Sequence, residues 1–209
     1  MFPSDVLITY LAAVLLVVIS PGPDNILAIS RGLSQGRVAA MLTSVGAGLG
    51  IMVHTIAAAL GLALVLQTSP LAFWFVKAVG AAYLLYLGVK AISSRSLISF
   101  VPAQRQSLPR VFATGLLSNV LNPKPGLFVV AFVPQFVSTA RGSVAVQMLV
   151  YGAIFALLTA LLFTLVGSFS AQLSNRLARR PKVVAAANVG AGLTFIAAGL
   201  SILALGRRA

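Results

Sequence analysis

Cysteine is absent from the 209 residues, acids number two, and histidine occurs once. Without cysteine there is no disulfide framework, no zinc finger and no thiol nucleophile. Two acids and one histidine leave no paired carboxylates and no nucleophile–base–acid set, and neither HExxH nor a Walker A loop occurs. The expectation is therefore a non-enzyme without a cofactor or metal, whose work draws on an ion gradient or on a solute's own gradient. Charge is scarce as well: only 8% of residues are charged, where a soluble domain carries about a quarter.

What is present is apolar. Hydrophobic residues make up 59% of the chain, and the mean hydropathy is +1.04. Fifteen Lys and Arg against two acids give a formal charge of +13. A basic balance ordinarily points to nucleic acid. Here the basic residues lie between long uncharged runs and form no continuous face, so the partner expected is a lipid bilayer and no nucleic acid.

A helix needs about 20 apolar residues to cross a hydrocarbon core of about 30 Å. Nearly uncharged stretches run over about 6–30, 38–66, 71–92, 111–137, 143–173 and 183–205. No alternating ten-residue strands occur, which argues against a β-barrel. The expectation is an all-α integral membrane protein of six transmembrane helices, forming a single membrane domain over 1–209. The first stretch is read as a retained span, since it carries Asp5 in place of a basic n-region and runs into Pro21-Gly22-Pro23 without a cleavage site.

Loop charge sets orientation. Ten Lys and Arg follow spans 1, 3 and 5 (Arg31, Arg37, Lys90, Arg95, Arg105, Arg110, Arg176, Arg179, Arg180 and Lys182), against Lys77, Arg141, Arg207 and Arg208 on the other side. These three loops are expected in the cytoplasm and both termini outside, although Arg207-Arg208 pulls the other way.

The chain echoes itself. Ser20-Pro21-Gly22-Pro23 in span 1 and Asn122-Pro123-Lys124-Pro125 in span 4 both read Pro-x-Pro, 102 residues apart. Val79-Gly80-Ala81-Ala82 and Val189-Gly190-Ala191-Gly192 match loosely. Three helices per unit make the second unit enter the bilayer inverted. Inverted repeats, about 1–95 and 108–209, with interrupted helices at corresponding positions point to a secondary-transporter site. Val6–Ser20 spans about 22 Å and Val111–Leu121 about 16 Å at 1.5 Å per residue, so both breaks fall in mid-membrane.

Proline there frees backbone groups that must face protein or a watery cavity. Each break restarts a helix, with Asp24 or Asn122 placed as N-cap and Pro123 at the first helical position. The new N-terminus suits a carboxylate. Asp24 is the only acid within a span and Lys124 the only base deep in one. Such residues default to function. Both are expected to line a cavity for a zwitterion, with Lys124 and the helix N-termini toward its carboxylate and Asp24 toward its ammonium. Asn25, Asn119 and Asn122 would add neutral hydrogen bonds. The competing reading is a structural Asp24–Lys124 pair.

Candidate solute-binding residues are therefore Pro21, Gly22, Pro23, Asp24, Asn25, Asn119, Asn122, Pro123 and Lys124. Asp24 and His54 are candidate proton carriers, though a packed interhelical role suits His54 better. Lys77 is expected to snorkel outward. Gly46-x-x-x-Gly50 and Ala57-x-x-x-Gly61 read as packing ridges, within the chain or in a homo-oligomer. Trp74, Tyr83 and Tyr86 read as interface or packing aromatics.

Several runs resemble the LysE/RhtB family of bacterial amino-acid exporters: Ser20-Pro21-Gly22-Pro23-Asp24-Asn25, Ser30-Arg31-Gly32-Leu33-Ser34-Gln35-Gly36-Arg37, Gly80 to Gly88, Asn119-Val120-Leu121-Asn122-Pro123-Lys124 and Val133-Pro134-Gln135-Phe136. The likeness runs over the whole chain. Pro125 departs from the small residue that usually follows Asn-Pro-Lys. The resemblance implies export of an amino acid or close derivative across the bacterial inner membrane, driven by proton-motive force, with no single solute implied. The rival classes are a passive channel or structural membrane component, and a metal-ion exporter of a related branch, which would want more ligands than the spans offer.

Overall fold

The computed structural model describes residues 3–20, 22–68, 70–93 and 102–170, with helical positions scattered over 182–200. Among the described residues, seven continuous α-helices follow in order: α1 (Ser4–Ile19), α2 (Pro23–Gln35), α3 (Arg37–Thr68), α4 (Pro70–Ser93), α5 (Leu108–Leu121), α6 (Pro123–Ala131) and α7 (Val144–Ser168). Short 3₁₀ turns at Val133–Phe136 and Thr139–Arg141 join α6 to α7. No strand occurs among the described residues.

Among the described residues, two helices, 37–61 and 144–168, are long and apolar enough to cross a membrane, or up to four spans if each of two bent pairs is one. The chain is thus an all-helical, multi-pass membrane protein. The span expected over 71–92 corresponds to α4, whereas the one over 183–205 lies largely outside the described residues. Lys77's side chain and Arg95, Arg176, Arg179, Arg180, Arg207 and Arg208 lie outside them too.

Small residues let the backbones meet. A methyl group on Gly46 of α3 would come within 2.5 Å of the Phe112 carbonyl of α5, and one on Gly115 of α5 would strike the Thr43 carbonyl of α3. Gly50 lies against Asn119. The Gly46–Gly50 ridge is therefore used within the chain. A Cβ on Gly61 would meet nothing within 4 Å among the described residues. On its other side α3 packs on α7, where Gly48 faces Ala156 and Gly152 faces Thr55. The central α3 is clamped between α5 and α7.

Aromatic rings fill the space between α1, α6 and α7. Tyr10 lies edge-on to Phe136 at 5.1 Å, Phe128 contacts Phe155 at 5.2 Å, and the Tyr10 hydroxyl donates to the Tyr151 carbonyl at 2.7 Å. Such pairs add about 0.5–1.5 kcal/mol each beyond burial. Gln147, fully buried, holds the turn before α7 by donating to the Ser138 carbonyl at 2.8 Å and accepting from the Ser138 amide at 3.1 Å.

The end of α2 departs from the sequence expectation. The apolar run stops at Ser30, but the helix continues to Gln35, so Arg31 sits inside a helix. The residue is 3% exposed, and its guanidinium donates to Gln35 Oε1, the Gln104 carbonyl and Gln106 Oε1. Gln35 Nε2 donates to the Gln106 carbonyl at 2.7 Å. Arg31 is therefore a latch that pins the segment before α5, not only a solvated loop charge. Gly36 then turns the chain into α3 with φ at +82°, where a side chain would be strained.

Candidate functional site

Both Pro-x-Pro segments interrupt a helix. The axis bends by 58° between α1 and α2 and by 52° between α5 and the segment from Pro123. Four prolines at 21, 23, 123 and 125 deny the ladder its N–H groups, so carbonyls near each break need other donors.

The two breaks supply one another. From the second, Lys124 Nζ donates to the Ser20 carbonyl of the first at 2.8 Å. From the first, the Asp24 carboxylate, 6% exposed, accepts from Ser118 Oγ at 2.8 Å, Asn119 Nδ2 at 2.7 Å and Asn122 Nδ2 at 3.0 Å, all in or beside the second. Hydrogen bonds to a charged acceptor contribute about 1.5–3 kcal/mol each. The acid is held by neutral donors and the base by a backbone carbonyl, so each has its own anchors.

One expectation is corrected here. Asp24 does not cap α2: Gly22 is the N-cap, and the Asn25 side chain reaches back to accept from the Gly22 amide at 2.7 Å. The same amide group of Asn25 donates to the Ser20 carbonyl at 3.1 Å. With Asn25 in that place, the Asp24 carboxylate is released toward α5. Asn122 does cap α6, accepting from the Lys124 amide at 3.0 Å, with Pro123 in its first turn.

A cavity of about 30 Å³ lies between the breaks. It has room for about two waters. Gly22, Asp24, Asn25, Asn119, Asn122, Lys124 and Pro125 line one part, and Val17, Val18, Ile51, Phe155, Thr159 and Phe163 the rest. Of the residues named from sequence, the structure thus brings six to one cavity. Pro23 and Pro123 shape the helix starts without lining it. Pro21 lies outside the described residues.

His54 is elsewhere. Its Nε2 lies 3.1 Å from the Asn119 carbonyl, another group near the second break, and its ring fills the space a Cβ on Gly126 would need. The imidazole joins α3 to the second break from outside the cavity. Trp74 is partly exposed, and Tyr83 and Tyr86 stack on one another at 6.0 Å with Lys90 over the Tyr86 ring.

Two members of the site were missed from sequence. Ser118 adjoins Asn119, and a polar pair in the last turn before a break was a readable signal. Thr159 is the polar position between Phe155 and Phe163 at helical spacing, in a long apolar run.

Comparison with known proteins agrees with the sequence resemblance. Residues 15–206 match the LysE type translocator family. The chain is 35% identical over 167 residues to the membrane protein YrhP of Bacillus subtilis, covering 75% of this chain and 79% of that one. It is 31% identical over 204 residues to the homoserine/homoserine lactone efflux protein of Salmonella typhimurium, covering 96% of each. With the leucine efflux protein of Salmonella choleraesuis the identity is 25% over 190 residues, 90% of each. No solved structure matches. An all-helical membrane chain with two broken helices, matched over nearly its whole length, belongs to the LysE type translocator family.

Proposed function

We propose that the protein is a secondary transporter that exports an amino acid or close derivative from the cytoplasm across the bacterial inner membrane, driven by the proton-motive force. The observation that carries this reading is the exchange of partners between the breaks: Asp24 bound by Ser118, Asn119 and Asn122, and the Ser20 carbonyl bound by Lys124. The named efflux relatives supply the solute class. The loops after spans 1, 3 and 5 face the cytoplasm, and two inverted three-helix repeats, about 1–95 and 108–209, carry one break each.

The binding residues are those of the two breaks, with Pro21 completing the set. A cavity of about 30 Å³ does not hold an amino acid, so the walls must part to load. Proton binding offers the lever. All three donors point hydrogen at the Asp24 oxygens. A protonated carboxyl loses its charge, keeps fewer acceptor sites and adds a donor, so these bonds weaken and the grip of α2 on α5 loosens. Deprotonation restores it. Lys124 and the starts of α2 and α6 provide positive potential for the solute's carboxylate.

The test is transport by purified protein in liposomes. With an imposed pH gradient, solute should move against its own concentration. Transport only down the solute's gradient would identify a channel instead.

A further inference from the structure

The cavity has two unlike walls. The breaks form the polar one, and a single face of α7 forms much of the other, where Phe155, Thr159 and Phe163 recur at four-residue spacing. Threonine hydroxyls within helices commonly bond to the carbonyl four residues back. Those of Thr9, Thr43, Thr55 and Thr114 do so at 2.7–2.9 Å. Thr159 does not. Its Oγ1 is buried without a hydrogen-bond partner among the described residues, and the residue is 2% exposed. On the polar wall Asn119 Oδ1 is likewise buried and unpartnered, its amide nitrogen being committed to Asp24.

A buried polar atom without a partner is costly, and the two residues that carry these atoms both line the one cavity. We infer that the α7 wall receives the solute's side chain, and that the Thr159 hydroxyl makes this a site for neutral amino acids whose side chain ends in an oxygen. This rests on the amino-acid export reading above and adds to it a residue that sets specificity. The phenylalanines favour a short chain of methylenes, and the hydroxyl is satisfied by a hydroxyl or carbonyl but not by an alkyl group. Besides Asp24 and Lys124, both anchored at the breaks, no charged residue among the described ones lines the cavity. A lysine or glutamate side chain would therefore bury an unpaired charge against the α7 wall.

Homoserine and norvaline differ only in a terminal hydroxyl against a methyl, so their ratio isolates the contact. The full-length protein is reconstituted in liposomes and counterflow of each labelled solute is measured, with lysine and aspartate as charged competitors. The wild type should exchange homoserine faster than norvaline and be inhibited by neither charged competitor. T159V should shift the homoserine-to-norvaline ratio about tenfold toward norvaline, the size of one neutral hydrogen bond, and T159S should restore it. A ratio does not depend on how much protein folds, and T159A provides the same reading should T159V accumulate poorly. An unchanged ratio in an active variant, or competition by lysine as strong as by norvaline, overturns this inference alone. A wild type that exchanges no amino acid overturns it together with the export reading.

Discussion

The first break and the second share the spelling Pro-x-Pro but spend their side chains differently. In each, an asparagine does the local work of starting the next helix: Asn25 accepts from the Gly22 amide, Asn122 from the Lys124 amide. The charged residues do the distant work. Asp24 leaves the first break for donors on the second, and Lys124 leaves the second for a carbonyl on the first. Each asparagine caps its own break and each charge reaches across to the other, where Asn122 also lends its Nδ2 to Asp24. The division is physical: a cap needs a short side chain at one place, whereas a carboxylate with several acceptor sites can gather donors from three residues at once.

This asymmetry sets the ranking of variants. Asp24→Asn keeps the shape but replaces an anion with an amide, setting a nitrogen donor against donors already aimed at it. Transport driven by a pH gradient should fall by about 100-fold, with the variant still folded, because charge-assisted bonds of about 1.5–3 kcal/mol are lost. Uptake into everted vesicles at matched expression measures it, and pH-driven transport at the wild-type rate would remove Asp24 from the coupling.

Lys124→Met should act on the other direction of the exchange. The stem still packs, but the Ser20 carbonyl loses the ammonium and the solute's carboxylate loses a cation. The apparent KM should rise about tenfold, the value of one hydrogen bond to a charged group, with a smaller change in maximal rate. A concentration series in liposomes tests this, and an unchanged KM would reduce Lys124 to a structural brace.

Beneath both breaks lies the α3–α5 contact. Gly115→Leu should force α5 off the Thr43 backbone and, at about 1–3 kcal/mol for overpacking, lower the melting temperature in detergent by several degrees. Gly61→Leu on the same α3, where a Cβ meets nothing within 4 Å among the described residues, should leave it unchanged.

The smallest effect is expected at His54. The ring serves a carbonyl near the second break from outside the cavity. His54→Gln, which can still donate there, should keep pH-gradient-driven transport within about twofold, one hydrogen bond being conserved. Loss of the pH dependence in that variant would return His54 to the proton path.

Much of this was legible before any coordinates. The apolar runs over 38–66 and 143–173 are the structure's 37–68 and 144–168 within a few residues, because hydrophobic length answers to membrane thickness alone. Both bends lie where the sequence carries a pair of prolines. The α2 terminus was not: Arg31 reads as the first residue of a loop, yet Gln35 and Gln106 give its charge enough partners to continue the helix. Asp24 was read as a cap because aspartate caps helices well, and Asn25 took that role because its amide can both accept from Gly22 and donate to Ser20.

Hydropathy and proline chemistry are local, so the sequence by itself determined that the chain lives in a bilayer, where its helices are severed, and that one acid and one base stand at the cuts. Which groups those charges would meet was decided only by the tertiary structure. Ser118 and Asp24 are 94 residues apart, and Thr159 reaches the cavity through the rotation of α7 about its own axis. Partners that distant depend on how glycine contacts let α3 settle between α5 and α7, and no local pattern encodes that angle.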